Sequence, residues 1–202
     1  EEGGFLSRGG RMCAKSARIK GAIKTSGGHV AFPNKGVSAV DVGVDVVASM
    51  RNFAARTLSP NEPVSLAPAV FKSGTGSNIM PSEAELWFAC RNYLSPVERT
   101  WFHGCINRNV QSVALQYPST KAEVEVIHGH PMMLNSTNVY DADRQLIHDA
   151  GMKVGDIERS LGGEDFAWYL EAQGGVKGCM WMLGAMQEGG GDHHQPTFNP
   201  SE

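Results

Sequence analysis

Between residues 18 and 129 the hydrophobic period switches repeatedly between two and 3.6, which limits the available folds more than any other feature of the chain. Residues 18–24 (RIKGAIK) alternate as a short strand. From Val37 to Thr57 the apolar positions Val40, Val44, Val47, Met50 and Ala54 recur at helical spacing. Residues 63–72 read as a strand in which Pro68 demands an edge or a bend, because proline has no N–H to give a central ladder. Residues 82–92 alternate cleanly, with Ala84, Leu86, Phe88 and Cys90 on one side and Glu83, Glu85, Trp87 and Arg91 on the other. Ser95-Pro96-Val97-Glu98 is a capping box: proline takes the first helical position and the glutamate can reach back to the cap amide. The helix it opens carries Phe102, Ile106, Val110 and Val113 on one face. Ala122, Val124 and Val126 then alternate with Glu123 and Glu125. The order β-α-β-β-α-β is that of a ferredoxin-like split βαβ sandwich.

After His130-Pro131 the character changes. A helix is expected over 138–150, with Val139, Ala142, Leu146 and Ala150 facing inward, and a short helix from Glu164 or Asp165. A buried strand at 178–183 (GCMWML) and a Gly189-Gly190-Gly191 loop follow. About seventy residues of this kind are too few for a doubly wound domain of their own. The expected organisation is therefore 1–16 as a piece of an α/β domain, 17–131 as a ferredoxin-like lid inserted into it, and 132–202 as the C-terminal part of the α/β domain. The fold class is mixed α/β (α+β), and the first half of the α/β domain is expected upstream of Glu1.

Composition excludes several classes of partner. With 41% hydrophobic residues, 19% charged and a net charge of −3, the chain lacks the basic footprint of a nucleic-acid binder. Its sheet also lacks the paired aromatics on which RNA bases would stack. No apolar run approaches the roughly 20 residues that span a bilayer. Cys13, Cys90, Cys105 and Cys179 show no CxxC spacing and sit among apolar residues, as free thiols do in a reducing, cytoplasmic compartment.

Several segments carry chemistry. Glu1-Glu2-Gly3-Gly4 and His193-His194 pair two carboxylates with two imidazoles, and one acid can hold a divalent cation while its neighbour takes a proton from an activated water. Each pair alone also fits an ordinary surface segment. In GGHVAFP (27–33) two glycines turn the backbone sharply and present His29. Asn78 enters the alternating strand and also fits a turn. Arg91 could be a surface arginine snorkelling over Trp87, or a fork for a substrate carboxylate.

In order and spacing these segments resemble the aminoacylase, hippurate hydrolase and indole-acetyl-amino-acid hydrolase group of dinuclear metal amidohydrolases, relatives of carboxypeptidase G. The motifs are EEGG at 1–4, GGHVAFP at 27–33, SNIMPSEAELWFACR at 77–91, GGEDFAWYL at 162–170 and HHQPTF at 193–198. The resemblance implies Zn²⁺ or Mn²⁺ as cofactor, N-acyl amino acids or small peptides as substrates, and a homodimer formed through the lid. It makes Glu1 the general base, Glu2 and His194 metal ligands, and His29 the lid histidine on the tetrahedral oxyanion, in related dimers often across the subunit interface. Asn78 and Arg91 would hold the substrate's amide and carboxylate. Met132, Met133 and Asn135 match the bridge from lid to catalytic domain.

A dinuclear site needs about five or six protein ligands and this chain offers two, so by itself it is expected to be catalytically silent. The competing expectation is a non-catalytic ferredoxin-like dimerisation module. The two readings differ over whether His29 and Arg91 converge on one cleft.

Overall fold

The computed structural model describes residues 3–171, 175–185, 190–191 and 195–198. In chain order the elements are β1 (Phe5–Ser7), β2 (Gly10–Cys13), β3 (Lys15–Lys24), β4 (Gly28–His29), α1 (Ala39–Thr57), β5 (Val64–Ser73), β6 (Ile79–Met80) and β7 (Glu83–Asn92). They continue with α2 (Pro96–Ala114), β8 (Lys121–His128), β9 (Met133–Asn135), α3 (Thr137–Asp149), β10 (Val154–Asp156), α4 (Ala167–Glu171) and β11 (Met182–Leu183). Two compact units result: Lys15–His130, and Glu1–Ala14 together with Pro131–Glu202.

The Lys15–His130 unit is a four-stranded antiparallel sheet, order β5-β7-β3-β8, with one face packed against α1 and α2. β3 and β7 pair without interruption, from Lys15 opposite Asn92 to Lys24 opposite Glu83. Alternation then sends Ala84, Leu86, Phe88 and Cys90 into the core with Ile19 and Ile23. The helices close it with Val42, Val46 and Met50 from α1 and Phe102, Ile106 and Val110 from α2. Phe53 stacks on Phe102 at a ring separation of 5.6 Å. Each such side chain contributes about 1.5–3 kcal/mol when fully buried. The capping box is present: the Glu98 amide donates to Ser95 Oγ at 3.3 Å, and the Ser95 amide donates to Glu98 Oε2 at 2.8 Å. β5 is an edge strand whose register slips between Pro68 and Val70, the bend that the proline demands.

On α1 the buried residues are Ala39, Val42, Gly43, Val46 and Met50; of the positions at helical spacing Met50 is buried and Val47 packs against the core, whereas Val44 keeps 52% of its surface exposed. Valines surround this helix, so two helical stripes satisfy the same spacing, and packing selects the one containing Gly43. A Cβ at Gly43 would stand 2.7 Å from Cζ of Phe71, which crosses from β5.

The second unit contains a three-stranded sheet, order β10-β1-β11, and the ribbon β2-β9. β1 runs parallel to β10 and antiparallel to β11. Met12, Cys13, Met133 and Ala167 form its buried cluster. A turn at Glu164, whose carbonyl accepts the Ala167 amide at 3.2 Å, leads into α4. Two expectations fail in this unit. Of residues 178–183, only Met182–Leu183 pairs as a strand, and Leu183 is 59% exposed. On α3 the buried residue is Tyr140, while Ala142, Leu146 and Ala150 face solvent. A polar set turns that helix. Arg144 donates to Asp156 at 2.7 Å, Tyr140 bonds the same carboxylate, and Trp181 Nε1 donates to Asp143 at 3.1 Å while its ring stacks on Tyr140.

Candidate active site

The lid segment that presents His29 is built on a glycine crossing. Gly27 (φ 62°) and Gly28 (φ 151°) occupy backbone regions that a side chain would strain. The Gly27 amide donates to the Val37 carbonyl at 3.0 Å, and a Cβ at Gly36 would fall 1.9 Å from the Gly27 oxygen. Neither Gly27 nor Gly36 can therefore carry a side chain without a shift of the facing backbone. β4 emerges from the crossing and pairs with β6, placing His29 opposite Ile79 and Gly28 opposite Met80.

The next residues wind in short turns. The His29 carbonyl accepts the Phe32 amide and the Phe32 carbonyl accepts the Lys35 amide, both at 2.9 Å. The backbone N–H of Ala31 donates to His29 Nδ1 at 3.1 Å. A ring that accepts at Nδ1 keeps its proton on Nε2, and His29 is exposed, so it presents an N–H donor to solvent. Such a donor can stabilise a developing oxyanion. The Val30 amide donates to the Asn78 carbonyl at 3.3 Å, so the ribbon brings the backbones of His29 and Asn78 within one residue step. The Asn78 side chain is exposed and makes no hydrogen bond among the described residues.

Arg91 lies elsewhere. It is on the sheet face away from the helices, opposite Ser16 on β3 and Ser65 on β5. Trp87 shares that face, with Lys20 Nζ 4.7 Å from its ring centre. Arg91 Nη1 is shut off from solvent and has no hydrogen-bond partner among the described residues. The β4–β6 ribbon stands off the Glu83 end of β7, and Arg91 is eight residues further along that strand, a span of about 26 Å at ~3.3 Å per residue. One chain therefore does not bring His29 and Arg91 together on a small substrate.

Glu1, Glu2, His193 and His194 lie outside the described residues. Their neighbours can be followed. The Gly3 amide donates to the Gly184 carbonyl at 2.7 Å and the Gly184 amide to the Gly4 carbonyl at 2.8 Å, continuing the β1–β11 pairing. The strand after the carboxylates thus runs beside the segment before the histidines. Among the described residues no group of three or more His, Cys, Asp or Glu could hold a metal ion, so these residues do not by themselves fit a dinuclear site. Cysteine chemistry has little support either. All four thiols are free, and burial pushes Cys13, Cys90 and Cys179 above the usual thiol range.

Phe32 and Lys35 were given no role by the sequence, yet both stand beside His29. The Phe32 ring is 5.8 Å from the imidazole, and Lys35 Nζ lies 5.0 Å over the other ring. The signal available was their spacing of three and six residues from His29.

Residues 10–118 match the family model described as the peptidase dimerisation domain of the M20 peptidases. The chain is 26% identical over 196 residues to an N-acetyl-L-cysteine deacetylase of Bacillus subtilis, covering 96% of this chain and 45% of that protein. It is equally 26% identical to thermostable carboxypeptidase 2 of Saccharolobus solfataricus, over 92% of this chain and 46% of that protein. Among solved structures, a dinuclear metal-binding M20 peptidase of Bacillus subtilis superposes with a TM-score of 0.78 at 20% identity, covering 99% of this chain and 48% of that one. Aminopeptidase PepT of Bacillus cereus superposes with a TM-score of 0.69 at 18% identity, over 90% and 48%. The chain thus spans about half the length of the relatives it matches. With more than half of its residues inside the matched domain, the chain belongs to the M20 peptidase family and carries that family's dimerisation domain.

Proposed function

We propose that this chain serves a metal-dependent hydrolase that cleaves the amide bond of N-acyl amino acids or small peptides. The observation that carries the reading is the capped imidazole: Ala31 holds the His29 proton on Nε2, and the glycine crossing fixes where that donor stands. His29 would donate to the scissile carbonyl as negative charge develops on its oxygen, with Asn78 beside it contacting the amide. Glu1 would take a proton from the attacking water and return it to the leaving amine, and Glu2 and His194 would be metal ligands. A bound divalent cation, Zn²⁺ or Mn²⁺, would supply Lewis acidity and lower the pKa of water. Arg91 is suited to a carboxylate because its shielded Nη1 has no partner among the described residues.

The about 26 Å along β7 gives this reading a further requirement. His29 and Arg91 can serve one small substrate only if two copies supply them, and the dimerisation domain fits a homodimer that would do so. Free thiols fit a cytoplasmic setting.

Kinetics on hippurate and N-acetyl amino acids test the proposal. In the assembly that provides the remaining metal ligands, His29→Ala should lower kcat by about 10²–10³ with little change in KM. An unchanged kcat would remove His29 from the chemistry. The 202-residue chain alone should show no turnover with added Zn²⁺ or Mn²⁺, and measurable turnover would overturn that part. A non-catalytic dimerisation module is favoured by one observation, the match of residues 10–118 to the dimerisation domain. That alternative predicts that His29→Ala leaves activity intact while changes to the dimer contact abolish assembly.

A further inference from the structure

His29, Phe32 and Lys35 follow one another on two successive i to i+3 turns, each closed by a 2.9 Å backbone hydrogen bond. The three groups stand close together: the imidazole and phenyl ring centres are 5.8 Å apart, and the ammonium is 5.0 Å from the phenyl centre. On the other flank of His29, the β4–β6 register sets Ile79 directly opposite. Phe32 and Ile79 each keep 52% of their surface exposed, which leaves apolar area on both flanks of the polar donor. The Lys35 ammonium has no carboxylate partner among the described residues; its charge meets only the Phe32 ring. Lys35 also borders an open cavity of about 580 Å³ lined by Asp41, Met80 and Tyr117; His29, Phe32 and Ile79 do not line it, so the group beside His29 is a separate, solvent-open surface.

We propose that Phe32, Ile79 and Lys35 form a specificity element for the substrate whose carbonyl His29 meets: an apolar group packs on Phe32 and Ile79, and a free carboxylate pairs with Lys35. The proposal rests on the reading of His29 as the carbonyl donor. Arg91 of the same chain, at the far end of β7, cannot reach the carboxylate of that molecule; an Arg91 from a second copy would meet that carboxylate beside Lys35, which stands two short turns from His29. The chemistry selects small acylated molecules that combine an apolar group with a free acid, and it discriminates against their neutral amides.

The test is an NMR titration of the labelled protein with two probes, N-acetyl-L-phenylalanine and N-acetyl-L-phenylalaninamide. Both should shift resonances of residues 29–35, with the acid binding more tightly. Lys35→Met should weaken the acid by about three- to fivefold, the range of an exposed ion pair, and leave the amide unchanged. Lys35→Arg should retain the preference for the acid. Phe32→Ala should weaken both probes alike. These side chains are exposed, so the variants are expected to keep the wild-type spectrum elsewhere. An unchanged acid-to-amide ratio in Lys35→Met, with both probes weakened by His29→Ala, overturns this proposal and spares the role of His29. No effect from either substitution, or no binding by the wild type, overturns the proposal and counts against the His29 reading as well.

Discussion

Asn135 ties Met180 to Arg8 with the two ends of one side chain. Its Oδ1 accepts the Met180 amide at 3.1 Å, while its Nδ2 donates to the Arg8 carbonyl at 2.9 Å and to Ser7 Oγ at 3.2 Å. One buried amide thereby joins β1, β9 and the segment before β11. Ser7 Oγ closes the set by donating to the Met180 carbonyl at 2.5 Å. Asn135→Leu, close in volume, would leave these buried backbone groups without partners, at a cost of about 2–4 kcal/mol. Urea unfolding measures the loss, and hydrogen exchange should show the amide of Met180 among the most deprotected.

The neutral His29 ring should favour the Nε2–H tautomer, because Nδ1 is occupied as an acceptor. Nitrogen-detected NMR of labelled histidine separates the two tautomers. A dominant Nδ1–H form would remove the donor on which the proposed chemistry depends.

His103 makes folding pH-dependent. Its Nε2 is buried without a partner among the described residues, and its ring lies 5.4 Å from that of His128. Burial first, then the charges of His128, Arg99 and Lys15, push the His103 pKa down to about 4. An unfolded histidine titrates near 6.5, so between these values the unfolded chain binds the extra proton. Stability is full above pH ~6.5 and falls as pH drops towards 4, by about 1–2 kcal/mol once screening of a half-exposed ring is allowed for. Denaturant unfolding at pH 7.5 and 5.0 should reveal this slope, and His103→Leu should flatten it.

Tyr117 ties the end of α2 to α1 by donating to Asp45 at 2.5 Å, and that bond pushes its hydroxyl up to about 12. The unfolded phenol titrates near 10, so the bond stabilises fully below pH ~10 and fades towards 12. Near-ultraviolet titration of the four tyrosines should contain a late component that shrinks in Tyr117→Phe, while Tyr140, raised by burial and by its bond to Asp156, keeps its share.

Legibility in the sequence followed the physics of each element. β7 could be read residue by residue because one face meets a hydrocarbon core and the other meets water, so alternation is unambiguous. The α2 capping box is local chemistry that needs no tertiary context, and it formed as written. α1 was located, but the spacing alone could not choose its inward stripe, since Val40 and Val44 compete with Val42 and Val46 on hydrophobicity. α3 misled for the opposite reason: its inward face is polar, with Asp143 and Arg144 satisfied by Trp181 and Asp156 from distant positions. Three-residue strands such as β1 and β10 carry too few residues to show a period. At the site, glycine pairs and a histidine marked the ribbon, but the separation of His29 from Arg91 depends on strand register. Thirteen positions in the chain from Asn78 to Arg91 said nothing of which end of the sheet each would occupy.

The Lys15–His130 unit interrupts the other unit between Ala14 and Pro131, and its own ends are tied together where the Ser16 amide donates to the His130 carbonyl at 2.9 Å. The β2–β9 ribbon, with Gly10 opposite Asn135, joins residues on either side of that interruption. In a nascent or refolding chain, forming this ribbon first would mean closing a loop as long as the whole inserted unit. Condensation of the four-stranded sheet removes that entropic barrier by delivering both ribbon strands to one place. A substitution that weakens the core around Phe102 should therefore slow assembly of the Met12–Met133 cluster, even though it touches none of its atoms.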